Sequence, residues 1–234
     1  MVERDVRAID GSAVTITLSA DESDLSDWSS PTLVEWAGHH EWELLSGRRE
    51  LPAALAEVNG LTFTERVAIG EFSVDYGTID QYDNENLFIG ELTVASVAGK
   101  RFACHLHDYN AGPDRLLQLL ELVSFEETNQ GFVVTGRSPK VFVRRDATSV
   151  IQPVSDLGVV EVHPLTGERI ARIPATGGYV TGSGSDVFSM KPESPSHYFL
   201  VISASAYTTV APLADPRSSK FLDRLDSLSI SWTP

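Results

Sequence analysis

The sequence predicts an α+β fold built as two related units, each a mostly antiparallel sheet with packed helices. Three observations carry this. Strand-like runs outnumber helical ones and do not alternate with them, an order that favours antiparallel sheet over βαβ units. The stretch DRLLQLLELVSF, 114–125, is echoed about a hundred residues later by FLDRLDSLSI, 221–230. Each of the two stretches follows a strand-like run and a Pro-bearing linker. The units are expected at 1–138 and 139–234, either separate or fused into one compact domain.

The echo is read by offsetting the first stretch by 105 residues. Leu117 then falls on Leu222, Leu120 on Leu225 and Ser124 on Ser229, while Glu121 meets Asp226 and Phe125 meets Ile230. Pro113 and Pro216 suit first helical positions, where a missing N–H costs nothing. Asp114 favours the positive helix end, and Asp215 is the expected N-cap of the second helix. Phe221, Leu222, Leu225 and Leu228 form an apolar stripe, and Leu116, Leu117, Leu119, Leu120 and Val123 a wider one. FACHLHDY, ending at Tyr109, and FLVISASAY, ending at Tyr207, are expected as the preceding strands. Two unrelated amphipathic helices would also give a few such identities, so duplication stands as an expectation.

Along the chain, Asp10-Gly11 marks a hairpin over 4–18, and 20–31 reads as an acidic loop. TLVEWAGHHEWELL reads as a second hairpin turning near Gly38, with Val34, Trp36, Trp42 and Leu44 on one face. RELPAALAEVNG is a short helix stopped at Asn59-Gly60. RVAIGEFSVDYG, ENLFIGELTVASV and KRFACHLHDY are expected as strands, with a polar loop over 77–86 and a tight turn at Gly99-Lys100. GFVVTGR and KVFVRRD follow, broken at Ser138-Pro139. GVVEVHP and ERIARIPA are expected to form a hairpin over Thr166-Gly167. TGGYVTGSGSD and MKPESPSH read as loops.

The closing segments, Tyr198 to Tyr207 and Phe221 to Trp232, resemble the PsbP-like fold, the group that includes the LpqN-like lipoproteins. FACHLHDY and LLQLLELVSF would be a second copy. The resemblance implies an α/β/α sandwich with an antiparallel sheet and mostly non-enzymatic binding of other proteins. No lipid-attachment cysteine stands near the start, and no functional residue carries over.

Composition narrows the function. The chain of 234 residues has 33 acidic and 18 basic side chains, a net charge of −15. Such a charge opposes nucleic acid. Cys104 is the single cysteine, which excludes an internal disulfide and fits a reducing, cytoplasmic setting. MVERDVRAID has no apolar leader run, and no stretch is apolar enough for membrane insertion.

Candidate chemistry is sparse. His105 and His107 share one face of a strand, as a metal pair would, while Asp108 faces the other way; His163 or His197 would have to complete the set. Cys104 reads as a buried, inert thiol. Glu35, Glu41 and Glu43 crowd one hairpin face beside His39 and His40, and need solvent, Arg48 and Arg49, or a cation. Trp36 and Trp42 read as core. Ser124 and Ser229 read as structural. The Gly-rich loop lacks the lysine and flanking elements of a phosphate loop, and no GxSxG, HExxH, CxxC or kinase signature occurs. The expected function is therefore a non-enzymatic protein-binding or assembly component, with no catalytic, cofactor or metal residues assigned. The alternatives are an acidic inhibitor of a basic partner and a metal-dependent enzyme using His105 and His107.

Overall fold

A computed structural model describes residues 1–19, 25, 27–36, 40–58, 60–82, 85–110, 112–190, 197–213 and 215–234. In chain order the elements are β1 (Val2–Arg7), β2 (Ala13–Leu18), β3 (Ser30–Trp36), β4 (His40–Arg48), α1 (Leu51–Val58), β5 (Glu65–Ile69), β6 (Phe72–Tyr82), β7 (Phe88–Ala98), β8 (Phe102–Tyr109), α2 (Gly112–Leu122), β9 (Val123–Glu127), β10 (Phe132–Gly136) and β11 (Val141–Arg144). They continue with β12 (Val150–Val154), β13 (Gly158–Pro164), α3 (Gly167–Ile170), β14 (Gly178–Val180), β15 (Asp186–Met190), β16 (Tyr198–Ile202), β17 (Ala206–Ala211), α4 (Ser219–Ser227) and β18 (Ser229–Thr233). All pairings between these strands are antiparallel. None of the helices among the described residues is long and apolar enough to cross a membrane.

The chain divides into two units, Met1–Ser29 with Thr148–Pro234, and Ser30–Ala147. This differs from a division at 138/139: the first 29 residues group with the C-terminal part, because β2 pairs with the last strand, β18. The second unit is thus inserted into the first.

Within the inserted unit the sheet order is β11-β3-β4-β8-β7-β6-β5, and β9 pairs with β10. Its core holds Val34, Trp42, Leu44, Cys104 and Leu106, all at most 2% exposed. The β3–β4 hairpin forms as expected, with Val34 opposite Trp42; Gly38 and His39 lie outside the described residues. Helix α1 ends as the sequence predicts. Gly60 takes φ +67°, the Gly60 N–H donates to Glu57 O at 3.0 Å and the Leu61 N–H to Ala56 O at 2.9 Å, a Schellman closure. The aromatic rings of Phe72, Phe125 and Phe132 meet edge-on or tilted at 5.4–6.4 Å, so β9 and β10 cover the sheet face that carries Phe72.

Within the enclosing unit the sheet order is β12-β13-β17-β16-β15-β14, and β1-β2-β18 forms a three-stranded sheet. Phe221 of α4 packs on Phe199 of β16 at 5.1 Å.

The two units share one element sequence. A hairpin (β3-β4 or β12-β13) is followed by a helix, then a four-strand meander, then a helix that runs directly into a strand. The spatial orders β3-β4-β8-β7-β6-β5 and β12-β13-β17-β16-β15-β14 correspond strand for strand. Burial follows suit at the offset of 105. Leu116 and Phe221, Leu120 and Leu225, and Val123 and Leu228 are buried in pairs, while Leu117 and Leu222 are both exposed.

Several local expectations are corrected. RVAIGEFSVDYG is a hairpin, turning at Gly70 with φ +61°. Residues 77–82, expected in a loop, extend β6 by pairing with β7. The β7–β8 turn passes over Lys100-Arg101, closed by the Gly99 N–H donating to Phe102 O at 2.9 Å. ERIARIPA supplies no strand against β13: the Thr166 side chain accepts from the Arg169 N–H and caps the short helix α3. The partners of β13 are β12 and β17 instead. FLVISASAY is two strands, with the Ser203 N–H donating to Ala206 O at 3.0 Å across the turn. Tyr207 therefore stands near the start of β17, and the tyrosine match to Tyr109 fails.

Asp215 is not the cap of α4. It makes an Asx turn, accepting from the Arg217 N–H at 3.0 Å. Ser218 is the N-cap, its hydroxyl accepting from the Phe221 N–H at 3.3 Å. Ser218→Ala is expected to cost about 1 kcal/mol, read as a lowered urea midpoint with an unchanged slope.

Candidate interaction surface

The carboxylate hairpin comes first. Glu35 lies directly opposite Glu41, and Glu43 opposite Leu33, so the three acids share a face as expected. Two of them find partners on neighbouring strands. Arg144 of β11 donates from Nη1 to Glu41 Oε1 at 2.6 Å, and His107 Nε2 lies 2.5 Å from Glu43 Oε2. Hydrogen bonds to Asp146 and Glu41 hold the Arg144 guanidinium above its ordinary pKa. Glu41 and Glu43 thus each meet a side chain from a neighbouring strand.

His105 and His107 do share a face of β8, with ring centroids 5.7 Å apart, and Asp108 pairs across to Thr93 on the other face. His105 is 4% exposed, and its Nδ1 is buried with no hydrogen-bond partner. Burial, reinforced by His107, pulls its pKa down to about 4, so its ring is neutral at pH 7. Cys104 is fully buried, and burial pushes its thiol up.

The two distant histidines are engaged inside the enclosing unit. His163 Nδ1 accepts from Arg169 Nη2 at 3.0 Å, which leaves its proton on Nε2, 3.2 Å from Glu161 Oε1. That hydrogen bond holds Glu161 below the usual carboxylate range against the opposing effect of burial. His197 meets Ser189 Oγ at 3.0 Å and lies 4.7 Å from the Phe199 ring. Among the described residues, no group of three or more His, Cys, Asp or Glu is placed to hold a metal ion. His39 lies outside the described residues, and of His40 only the backbone is described.

The remaining polar features have structural work. Ser124 Oγ accepts from Arg137 Nε at 2.5 Å, and Ser229 pairs with Thr17. The Gly-rich stretch contains β14 and then a turn tied to α4, where the Gly182 N–H donates to Asp226 Oδ1 at 2.9 Å. A surface cavity of about 310 Å³ is lined by Glu71, Lys100, Arg101, Glu127, Thr128 and Asn129. Of its two carboxylates, Glu127 is committed to the backbone N–H groups of Lys100, Arg101 and Phe102 at 2.5–3.0 Å. Burial alone would raise the Glu127 pKa, but these bonds lower it.

What stands out is one end of the inserted unit's sheet. Strands β6 and β7 run in register to Gln81 opposite Gly90, after which Tyr82 pairs with Phe88. Ile89 is left as an extra residue, a β-bulge, and bulges re-aim side chains. The bend is fixed by Asn110 at the end of β8. Its N–H donates to Glu91 O at 2.7 Å, and its Oδ1 accepts from the Glu91 N–H at 3.3 Å. Gly90 has φ +148°, and a Cβ there would lie 2.2 Å from Asn110 Oδ1. At this end Tyr82, Leu87, Phe88 and Ile89 are each 53–60% exposed, as is Tyr109, which lies opposite Leu92 on the other face of the sheet. Tyr82 and Phe88 meet edge to face at 5.9 Å. One step further in, Leu92 and Val94 are buried against Ala56 and Leu61 of the α1 region.

Sequence reasoning passed over these five residues. The available signal was the run Leu87-Phe88-Ile89, three apolar residues in succession next to a polar loop, where a half-buried strand should alternate.

No protein-family model, curated protein or solved structure matches this chain.

Proposed function

We propose that the protein is a non-enzymatic protein-binding or assembly component that docks through the exposed end of β6, β7 and β8. The observation that carries this reading is the exposed set Tyr82, Leu87, Phe88 and Ile89, set by a bulge and an asparagine clamp, with Tyr109 exposed on the other face of the same sheet end. Exposed apolar clusters of this kind mark interaction sites, and Tyr is among the residue types that dominate binding energy at interfaces. A strand end rigidified in this way loses little freedom on docking. The tandem reading of the two units draws support from their shared element order and from the paired burial along α2 and α4.

The test uses the tagged full-length chain as bait in a lysate of its native cells, beside Phe88→Ser. The parent is expected to retain a stoichiometric partner and the variant to lose it, with both giving the same circular-dichroism melt. Equal retention by both would remove this surface from the interface.

A further inference from the structure

The apolar end of the sheet sits in a stretch without cations of its own. From Val67 to Gly99 the chain has no Lys or Arg and six Asp or Glu. Asp75 is held by Arg66 at 2.5 Å. Asp80 and Glu91 face each other directly across β6 and β7, an arrangement that like charges disfavour. Asp80 is two residues from Tyr82 on the same strand face, and both are exposed. The strand pair therefore presents an aromatic end backed by two carboxylates, Asp80 and Glu91, for which no basic partner lies in ion-pair reach among the described residues.

We infer that the occupant of this surface is a polypeptide segment that alternates apolar side chains with Lys or Arg, the apolar ones seating on Tyr82 and Phe88 and a cation bridging Asp80 and Glu91. This rests on the protein-binding reading above and adds the chemistry of the partner. Charge complementarity of this kind sets specificity and encounter rate, while the aromatic pair supplies the buried contact. The same carboxylates repel an anionic lipid surface, which would otherwise suit exposed aromatic residues. In the corresponding place of the enclosing unit Met190 pairs with Tyr198, and both are half-buried, so the exposed aromatic pair belongs to the inserted unit.

The experiment titrates the full chain with three labelled short peptides and follows fluorescence anisotropy. The first alternates Leu and Lys, the second replaces Lys by Glu, and the third replaces Leu by Ser. Binding by the first alone is expected, weakening between about 0.05 M and about 0.3 M salt as the Debye length shortens. The double variant Asp80→Asn, Glu91→Gln should weaken it about fivefold, the worth of two exposed ion pairs. The inference is overturned if the Leu/Glu or Leu/Ser-substituted peptides bind as well as the first, if no peptide binds, or if the double variant binds like the parent. Binding to anionic vesicles that Phe88→Ser abolishes would overturn it in favour of a membrane surface. Should Phe88→Ser lose the native partner while the peptides show no preference, only the charge chemistry falls and the docking surface stands.

Discussion

Trp42→Ala is expected to remove about 4 kcal/mol of stability, the usual cost of truncating a large aromatic side chain in a core. Trp42 lies in the middle of the β3–β4 hairpin, is 0% exposed, and stands opposite the equally buried Val34. β4 in turn pairs with β8, so the cavity left behind would open between strands hydrogen-bonded on both sides and unable to close in on it. Trp36 provides the internal comparison. It shares the same face at the strand end, where it is only partly buried, and Trp36→Ala should cost less than half as much. Chemical denaturation of the two variants checks the order; equal losses would show that Trp42 is not seated in the core.

The second large effect is a pH dependence set by His105. In the unfolded chain this histidine titrates near its ordinary 6.5, whereas burial next to His107 lowers it to about 4 in the fold. The unfolded state therefore takes up the proton first. Stability is complete above pH about 6.5, declines as the pH falls, and levels off once the folded-state value near 4 has been passed. The whole difference is about 3 kcal/mol by linkage. His105→Leu should flatten that part of the profile while leaving stability at neutral pH within about 1.5 kcal/mol of the parent, because the buried Nδ1 has no hydrogen-bond partner to lose. The measurement is the difference in unfolding free energy between parent and variant at about pH 7.5 and pH 4.5. A difference that stays constant would mean that His105 is reached by water in the fold.

The fold was legible where the signals were local. Asp10-Gly11 gave its hairpin, Asn59-Gly60 its helix stop, and the 3.6-residue spacing of leucines gave both α2 and α4. Errors arose where pairing partners decide the outcome. Residues 77–82 are polar enough to read as loop, yet they lie on a strand because the apolar run of β7 hydrogen-bonds to them. The turn inside FLVISASAY is made of small residues that a strand also tolerates, so only the register of β16 against β17 exposes it. The Thr166 hydroxyl decided for a helix where Thr-Gly had suggested a turn.

The candidate surface was less legible than the fold. That the three glutamates and the two histidines share faces followed from the two-residue period of strands. Their partners did not, since Arg144 reaches Glu41 from a strand about a hundred residues later. The exposure of Phe88 depends on a single extra residue at Ile89 and on Asn110, 20 residues beyond Gly90, whose side chain would collide with any other residue at Gly90. No pattern within one strand encodes that.

The places where the chain leaves and re-enters the enclosing unit are also instructive. Ser29 and Ile151 exchange both backbone hydrogen bonds, at 2.8 and 2.7 Å, and within the inserted unit β3 and β11 lie side by side, with Thr32 Oγ1 donating to Arg144 O at 2.9 Å. Doorway in and doorway out are therefore adjacent on either side of the threshold. Residues 30–147 form a cassette that leaves and rejoins its host at neighbouring strands, the arrangement in which domain insertion and circular permutation are tolerated.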